Sequence, residues 1–143
     1  MEKCYLPAPL LLALMLALCG SAHAQCNLRG TWTNELLSNM TISSVDSNGQ
    51  LSGVYLTQVS LTNKTIVESP LIGYKQMSES HTFGFTVNWA FADSITVWTG
   101  QCIKDSQGHE RLVTMWLLRE KVNTVKDSWS ATRVGQDIFK KTS

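Results

Sequence analysis

Eight runs rich in Thr, Val, Ile, Phe and Trp follow one another through this chain, at 29–34, 39–45, 50–59, 71–77, 82–91, 94–104, 110–119 and 131–139. Short runs of β-branched and aromatic residues, bounded by turn-forming clusters, predict strands. Asp46-Ser47-Asn48-Gly49 and Asp105-Ser106-Gln107-Gly108 predict hairpin turns, with glycine where a positive φ is needed. Ala92-Asp93 predicts a tight connection. Glu120–Ser128 is the least strand-like stretch and predicts a helical turn before Trp129. Sequential antiparallel strands leave two unpaired edges unless the sheet closes on itself. The expected fold is therefore all-β, an eight-stranded antiparallel up-and-down β-barrel, with a two-sheet sandwich as the alternative. Eight strands leave room inside for side chains or for one small ligand.

The alternation along the strands says what that interior holds. Trp89 and Phe91 share a face, as do Ser94, Thr96 and Trp98, then Trp116 and Leu118, then Tyr55 and Thr57. Turned inward, these faces mix indoles with hydroxyls. A structural core prefers Val, Ile and Leu, because an unpaired buried hydroxyl costs about 1–3 kcal/mol. Hydroxyls among aromatic rings point instead to a preformed apolar box with a few polar groups, the usual form of a small-molecule site.

Met1–Ala24 reads as a secretory signal peptide, with Lys3 as a weak basic start, an apolar Leu10–Leu18 segment and an Ala22-His23-Ala24 cleavage site. The remaining domain, 25–143, keeps Cys26 and Cys102. Two cysteines in an exported chain predict one disulfide, here closing a loop of 77 residues, 26 to 102 inclusive. Loop entropy values such a link at about 4.5 kcal/mol as an upper figure. A metal site on the two cysteines lacks further ligands at useful spacing, so none is expected. Export also gives meaning to the glycosylation sequons Asn39-Met40-Thr41 and Asn63-Lys64-Thr65. Without Glu2 and Lys3 the chain carries 11 basic and 10 acidic residues, and the basic ones are dispersed. That excludes a nucleic-acid footprint, and no later segment is apolar enough to span a membrane.

Several runs are specific. Cys26-Asn27-Leu28-Arg29-Gly30-Thr31-Trp32-Thr33-Asn34, Ser38-Asn39-Met40-Thr41-Ile42, Thr82-Phe83-Gly84-Phe85-Thr86-Val87-Asn88-Trp89, Thr99-Gly100-Gln101-Cys102, Thr114-Met115-Trp116-Leu117-Leu118-Arg119 and Trp129-Ser130-Ala131-Thr132-Arg133-Val134-Gly135 resemble, in order, the avidin/streptavidin family. The resemblance covers essentially the whole of 25–143. It implies a secreted homotetramer that binds biotin tightly and without covalent chemistry, with no cofactor. It also implies the roles: Asn34, Ser38 and Tyr55 donate to the ureido oxygen, Thr57 and Asp137 accept from the two ureido N–H groups, and Thr96 meets the thioether sulfur. Trp89, Phe91, Trp98, Trp116 and Leu118 would wrap the bicycle, and Trp129 would close the site of the neighbouring subunit. Ser94 and the loop residues Ser60, Leu61 and Thr62 stand where the family holds the valerate carboxylate.

Departures from the pattern carry information too. Asp137 replaces an amide of avidin and Trp98 replaces a phenylalanine, both as in streptavidin. Ala92 replaces a carboxylate-binding serine, and Leu61 adds bulk to the same end. Gln136 replaces an isoleucine of a subunit contact that Met115 and Val134 preserve. Gly30-Thr31-Trp32 with Arg133 also fits the lipocalin opening and its late arginine, so Trp32 and Arg133 are expected to stack as a plug at the closed end. A lipocalin-like carrier of another apolar ligand is the alternative, beside a purely structural barrel. An enzyme is not expected: the chain offers no Gly-x-Ser-x-Gly and no paired carboxylates on one face, and His81 and His109 stand in polar, turn-like contexts that read as solvated surface rather than as partners of a nucleophile.

Overall fold

The computed structural model describes residues 26–142. The leader read over Met1–Ala24 lies outside them. Strands β1 (Gly30–Thr33), β2 (Asn39–Val45), β3 (Gln50–Leu56), β4 (Ser69–Lys75), β5 (Thr82–Asn88), β6 (Ser94–Lys104), β7 (Glu110–Glu120) and β8 (Thr132–Lys141) pair in sequence order, and β8 returns to β1. Every pairing is antiparallel, including the closing one. The barrel is closed, and closure removes the edges a sandwich would have left.

Both turns form as the glycines require. Gly49 and Gly108 each take φ of 82°, a left-handed conformation without penalty for glycine. Asp46 and Asp105 brace them by accepting backbone N–H groups through Oδ1.

The larger differences from the expected strand bounds fall in β3, β4 and β5, and in β3 and β5 a local hydrogen bond accounts for them. β3 stops at Leu56 rather than 59, because the Thr57 hydroxyl donates to the Val59 carbonyl and accepts from the Val59 N–H, a local ring that competes with the ladder. β5 ends at Asn88, so Trp89 and Phe91 stand beyond it in a turn held by the Ala92 N–H on the Trp89 carbonyl. β4 is displaced towards the N-terminus, spanning 69–75 where 71–77 was expected. The helical turn is a 3₁₀ segment, Val125–Ser130, which contains Trp129 instead of preceding it.

The core fills the barrel below the cavity: Trp32, Met40, Ile42, Leu51, Leu112 and Phe139 are all at most 1% exposed. Cys26 and Cys102 form the disulfide, tying the segment before β1 to β6 with Cα atoms 6.3 Å apart. Glu110 lies beside it, but with both sulfurs bonded to each other the trio has no thiolate to offer a metal.

Trp32 is buried at the closed end, its indole N–H donating to the Leu28 carbonyl at 2.9 Å. Its cation is not Arg133. Lys141 stands over the ring, Nζ 5.0 Å from the centroid, whereas Arg133 pairs with Glu120 at 3.1 Å at the other mouth of the barrel. The reason is strand length: Arg133 is the second residue of β8 and Lys141 its last, eight residues apart, or about 26 Å at strand rise. β1 meets β8 only at the Lys141 end.

Candidate ligand-binding site

The open end of the barrel holds a cavity of about 620 Å³. Asn34, Ser38, Tyr55, Thr57, Trp89, Phe91, Thr96, Trp98, Trp116, Leu118 and Asp137 line its depth and walls, and Ser60, Leu61, Thr62 and Ser94 its rim. Trp129 is the exception among the residues singled out from the sequence. It lies on the 3₁₀ segment, 86% exposed, and does not line the cavity of its own chain.

Local geometry assigns each polar group at the floor a direction. The Oδ1 of Asn34 accepts from the N–H groups of Leu36 and Ser38, at 3.1 and 2.9 Å, which turns its amide nitrogen inward as a donor. That nitrogen reaches the Tyr55 hydroxyl at 3.5 Å. The Oγ of Ser38 accepts from the Gln58 N–H at 3.0 Å and lies 3.4 Å from the Thr57 Oγ1, to which its proton donates until a ligand carbonyl takes it. The Thr57 proton is committed to the Val59 carbonyl, so towards the cavity Thr57 presents an acceptor. One carboxylate oxygen of Asp137 takes the indole N–H of Trp98 at 3.1 Å, and the other remains an acceptor. Three donors and two acceptors thus converge on one floor.

Burial sets the protonation of this floor. It raises Tyr55 well above the usual tyrosine range, the charge of Asp137 adding to the rise and a bond with Ser38 opposing it. Tyr55 therefore stays a neutral O–H donor at physiological pH. Burial also raises Asp137 above the usual carboxylate range, against the bond from Trp98 and with a smaller push from the charge of Glu35. Among the described residues, every buried side-chain polar atom has a partner. The hydroxyls are held by one another and by backbone, rather than left open as the sequence suggested.

The walls are a packed aromatic set. Tyr55 stacks on Trp98 at 5.1 Å between centroids, Phe85 on Trp98 at 4.9 Å, and Trp89 meets Tyr55 edge-on at 5.5 Å. Such pairs contribute about 0.5–1.5 kcal/mol beyond burial and leave the rings little freedom. Trp89 is oriented by its indole N–H, which donates to the Thr96 hydroxyl at 2.8 Å. Trp116 lies directly over Gly135, where an added Cβ would sit 2.2 Å from its ring. The glycine is the space the indole occupies.

Sequence reasoning missed Leu36, Val59, Asp93, Glu120, Lys121, Asn123 and Arg133 as lining residues. Glu120 was within reach, being the next inward position after Trp116 and Leu118. The others stand in connections or at a strand start, where no period applies. The two sequons lie on different ground: Asn63 is exposed in the β3–β4 connection, while Asn39 opens β2 with its Oδ1 accepting from the Thr33 hydroxyl at 2.6 Å. No helix among the described residues is long and apolar enough to cross a membrane.

Comparison with known proteins gives a consistent picture. The family model described as "Avidin family" matches residues 22–142. The chain is 51% identical to avidin of Gallus gallus over 139 residues, 92% of this chain and 91% of that protein. It is 49% identical to avidin-related protein 4/5 of the same organism, over the same shares. Among solved structures it resembles Xenavidin, at 55% identity and a TM-score of 0.80 over 82% of this chain and 99% of the other. A chicken protein described as a biotin binding protein matches at 53% identity and a TM-score of 0.79, over 83% and 98%.

Proposed function

The chain belongs to the avidin family, and on that premise we propose that it is a secreted, non-enzymatic protein that binds biotin tightly in the barrel cavity. The observation that carries this reading is the polarity of the floor. A cyclic urea presents one carbonyl oxygen flanked by two N–H groups; Asn34, Ser38 and Tyr55 present donors, and Thr57 and Asp137 present acceptors. Three donors on one carbonyl draw it towards an oxyanion, and each bond gains charge-assisted strength. The packed indoles match the apolar bicycle, Thr96 its sulfur, and the rim at Ser60, Leu61, Thr62 and Ser94 its carboxylate tail. Glycans on Asn39 and Asn63 fit an exported protein that stores, carries or withholds biotin.

Trp129 supports a reading of the assembly. An indole left 86% exposed on a short 3₁₀ turn is a poor surface residue and a good lid for another subunit's site. The protein is accordingly read as a homotetramer in which Trp129 closes the neighbour's cavity. A carrier of an unrelated apolar ligand would have no use for five directed polar groups at the floor. The test is a titration with biotin, following tryptophan emission alongside native mass measurement. A stoichiometric spectral shift on a tetramer is expected. An unchanged spectrum at micromolar biotin would overturn the assignment.

A further inference from the structure

The seam between β1 and β8 is the weakest joint of the barrel. Its ladder holds two registered pairs, Trp32 with Lys141 and Thr33 with Lys140, because β1 leaves the sheet at Asn34. Continued two steps, the same register sets Glu35 opposite Ile138. The backbone of Glu35 is already turned into the β1–β2 connection, and its side chain takes over: Oε2 accepts the Ile138 N–H at 3.0 Å. A carboxylate thus stands in for a missing strand carbonyl and closes the seam at its ligand end.

The two residues so joined adjoin the floor on both sides. Glu35 follows Asn34, whose amide is aimed into the cavity, and Ile138 follows Asp137, whose carboxylate faces it. No backbone pair spans this part of the seam, since the registered pairs end at Thr33 and Lys140. We propose that Glu35 is a positioning residue for the ligand: by bonding the Ile138 N–H it sets Asp137 at a fixed separation from Asn34. Its charge works against it, adding to the rise of Asp137, so the hydrogen bond and not the charge is the useful part. This rests on the biotin reading of the site.

The test compares Glu35→Ala with Glu35→Gln, whose amide oxygen keeps the acceptor without the charge. Biotin should leave Glu35→Ala at most about tenfold faster, the upper size of one ordinary hydrogen bond, and leave Glu35→Gln within about threefold of the unmodified rate. The Ile138 amide should exchange faster with solvent in Glu35→Ala alone. In an Asp137→Ala background the Glu35→Ala effect on release should fall below about threefold, since two residues acting through one contact are not additive. Equal release from the Ala and Gln variants, or a full tenfold effect persisting without Asp137, would overturn the proposal. If the unmodified chain did not bind biotin the functional reading would fall, and Ile138 exchange alone would still decide whether the clamp exists.

Discussion

Trp98 and Asp137 are bonded to each other across the cavity floor, indole Nε1 to carboxylate Oδ2 at 3.1 Å. The sequence singled out these two positions separately, and the structure shows them to be one feature. A buried carboxylate needs a donor, and the indole supplies it. Trp98→Phe should therefore destabilise the ligand-free protein by about 1–3 kcal/mol, the penalty of an unsatisfied buried acceptor. Trp98→Phe should cost less in an Asp137→Asn background than in the unmodified protein. Chemical denaturation of all four proteins checks this, and strict additivity would contradict the pairing.

Asp137 also gives the unliganded protein a pH dependence of definite sign. Its folded pKa lies above the unfolded one, so the stability it contributes is present below the usual carboxylate value of about 3.9 and is lost as pH rises through its raised folded value. Asp137→Asn should raise the melting temperature more at pH 7 than at pH 4. Biotin works the other way, since its N–H groups favour the charged acceptor. Biotin release should quicken as pH falls through the same window. Melting curves and dissociation rates at the two pH values test both signs.

Gly135 is predicted to be intolerant of even one methyl group. A Cβ there would stand 2.2 Å from the Trp116 ring, so the indole would have to shift into the cavity it lines. Gly135→Ala should destabilise the fold by about 1–3 kcal/mol, as overpacking does, and should speed biotin release. Thermal melting and a competition assay suffice. An unaffected release rate would mean that Trp116 moves freely and does not shape the site.

At the rim, Ala92 lines the cavity beside Ser94. Ala92→Ser should add one hydrogen bond to the ligand carboxylate, of about 0.5–1.5 kcal/mol, or a slowing of release by roughly twofold to tenfold. A biotin amide should show a smaller change. Equal slowing of both ligands would remove the carboxylate from this end of the cavity.

Trp129→Lys tests the lid. The indole is exposed in the single chain, so the fold should survive, with a melting temperature of the isolated subunit close to the original. Release of biotin should quicken and the tetramer should loosen on native mass measurement. An unchanged release rate would place the closure of the site within one subunit.

The strands and the wall residues were legible because burial on one face imposes a period of two, and β6 and β7 keep that period through most of their eleven residues each. Tyr55, Thr96, Trp98, Trp116 and Leu118 could be assigned inward on that ground alone. Trp89 and Phe91 reached the cavity by another route, from the turn beyond β5, where period-two counting no longer holds. Arg133 misled for a related reason. Its neighbourhood matched a familiar motif, but which cation covers Trp32 depends on which end of β8 meets β1, and Lys141 is the one that arrives there. The rim residues Lys121 and Asn123 sit in a connection with no periodic signal at all.

The amino-acid sequence by itself determined the all-β character, the order of strands, the disulfide partners and the side chains that face inward, because each of these follows from neighbours a few residues apart or from the supply of cysteines. Only the tertiary structure decided the directions of the polar groups and the closure of the seam. Asn34 becomes a donor because two backbone N–H groups occupy its oxygen, Asp137 an acceptor because Trp98 holds its other oxygen, and Glu35 a substitute for a strand because β1 turns away early. Hydrogen-bond direction is settled by which partner has already been taken, and the partners here come from strands up to 103 residues apart in the chain.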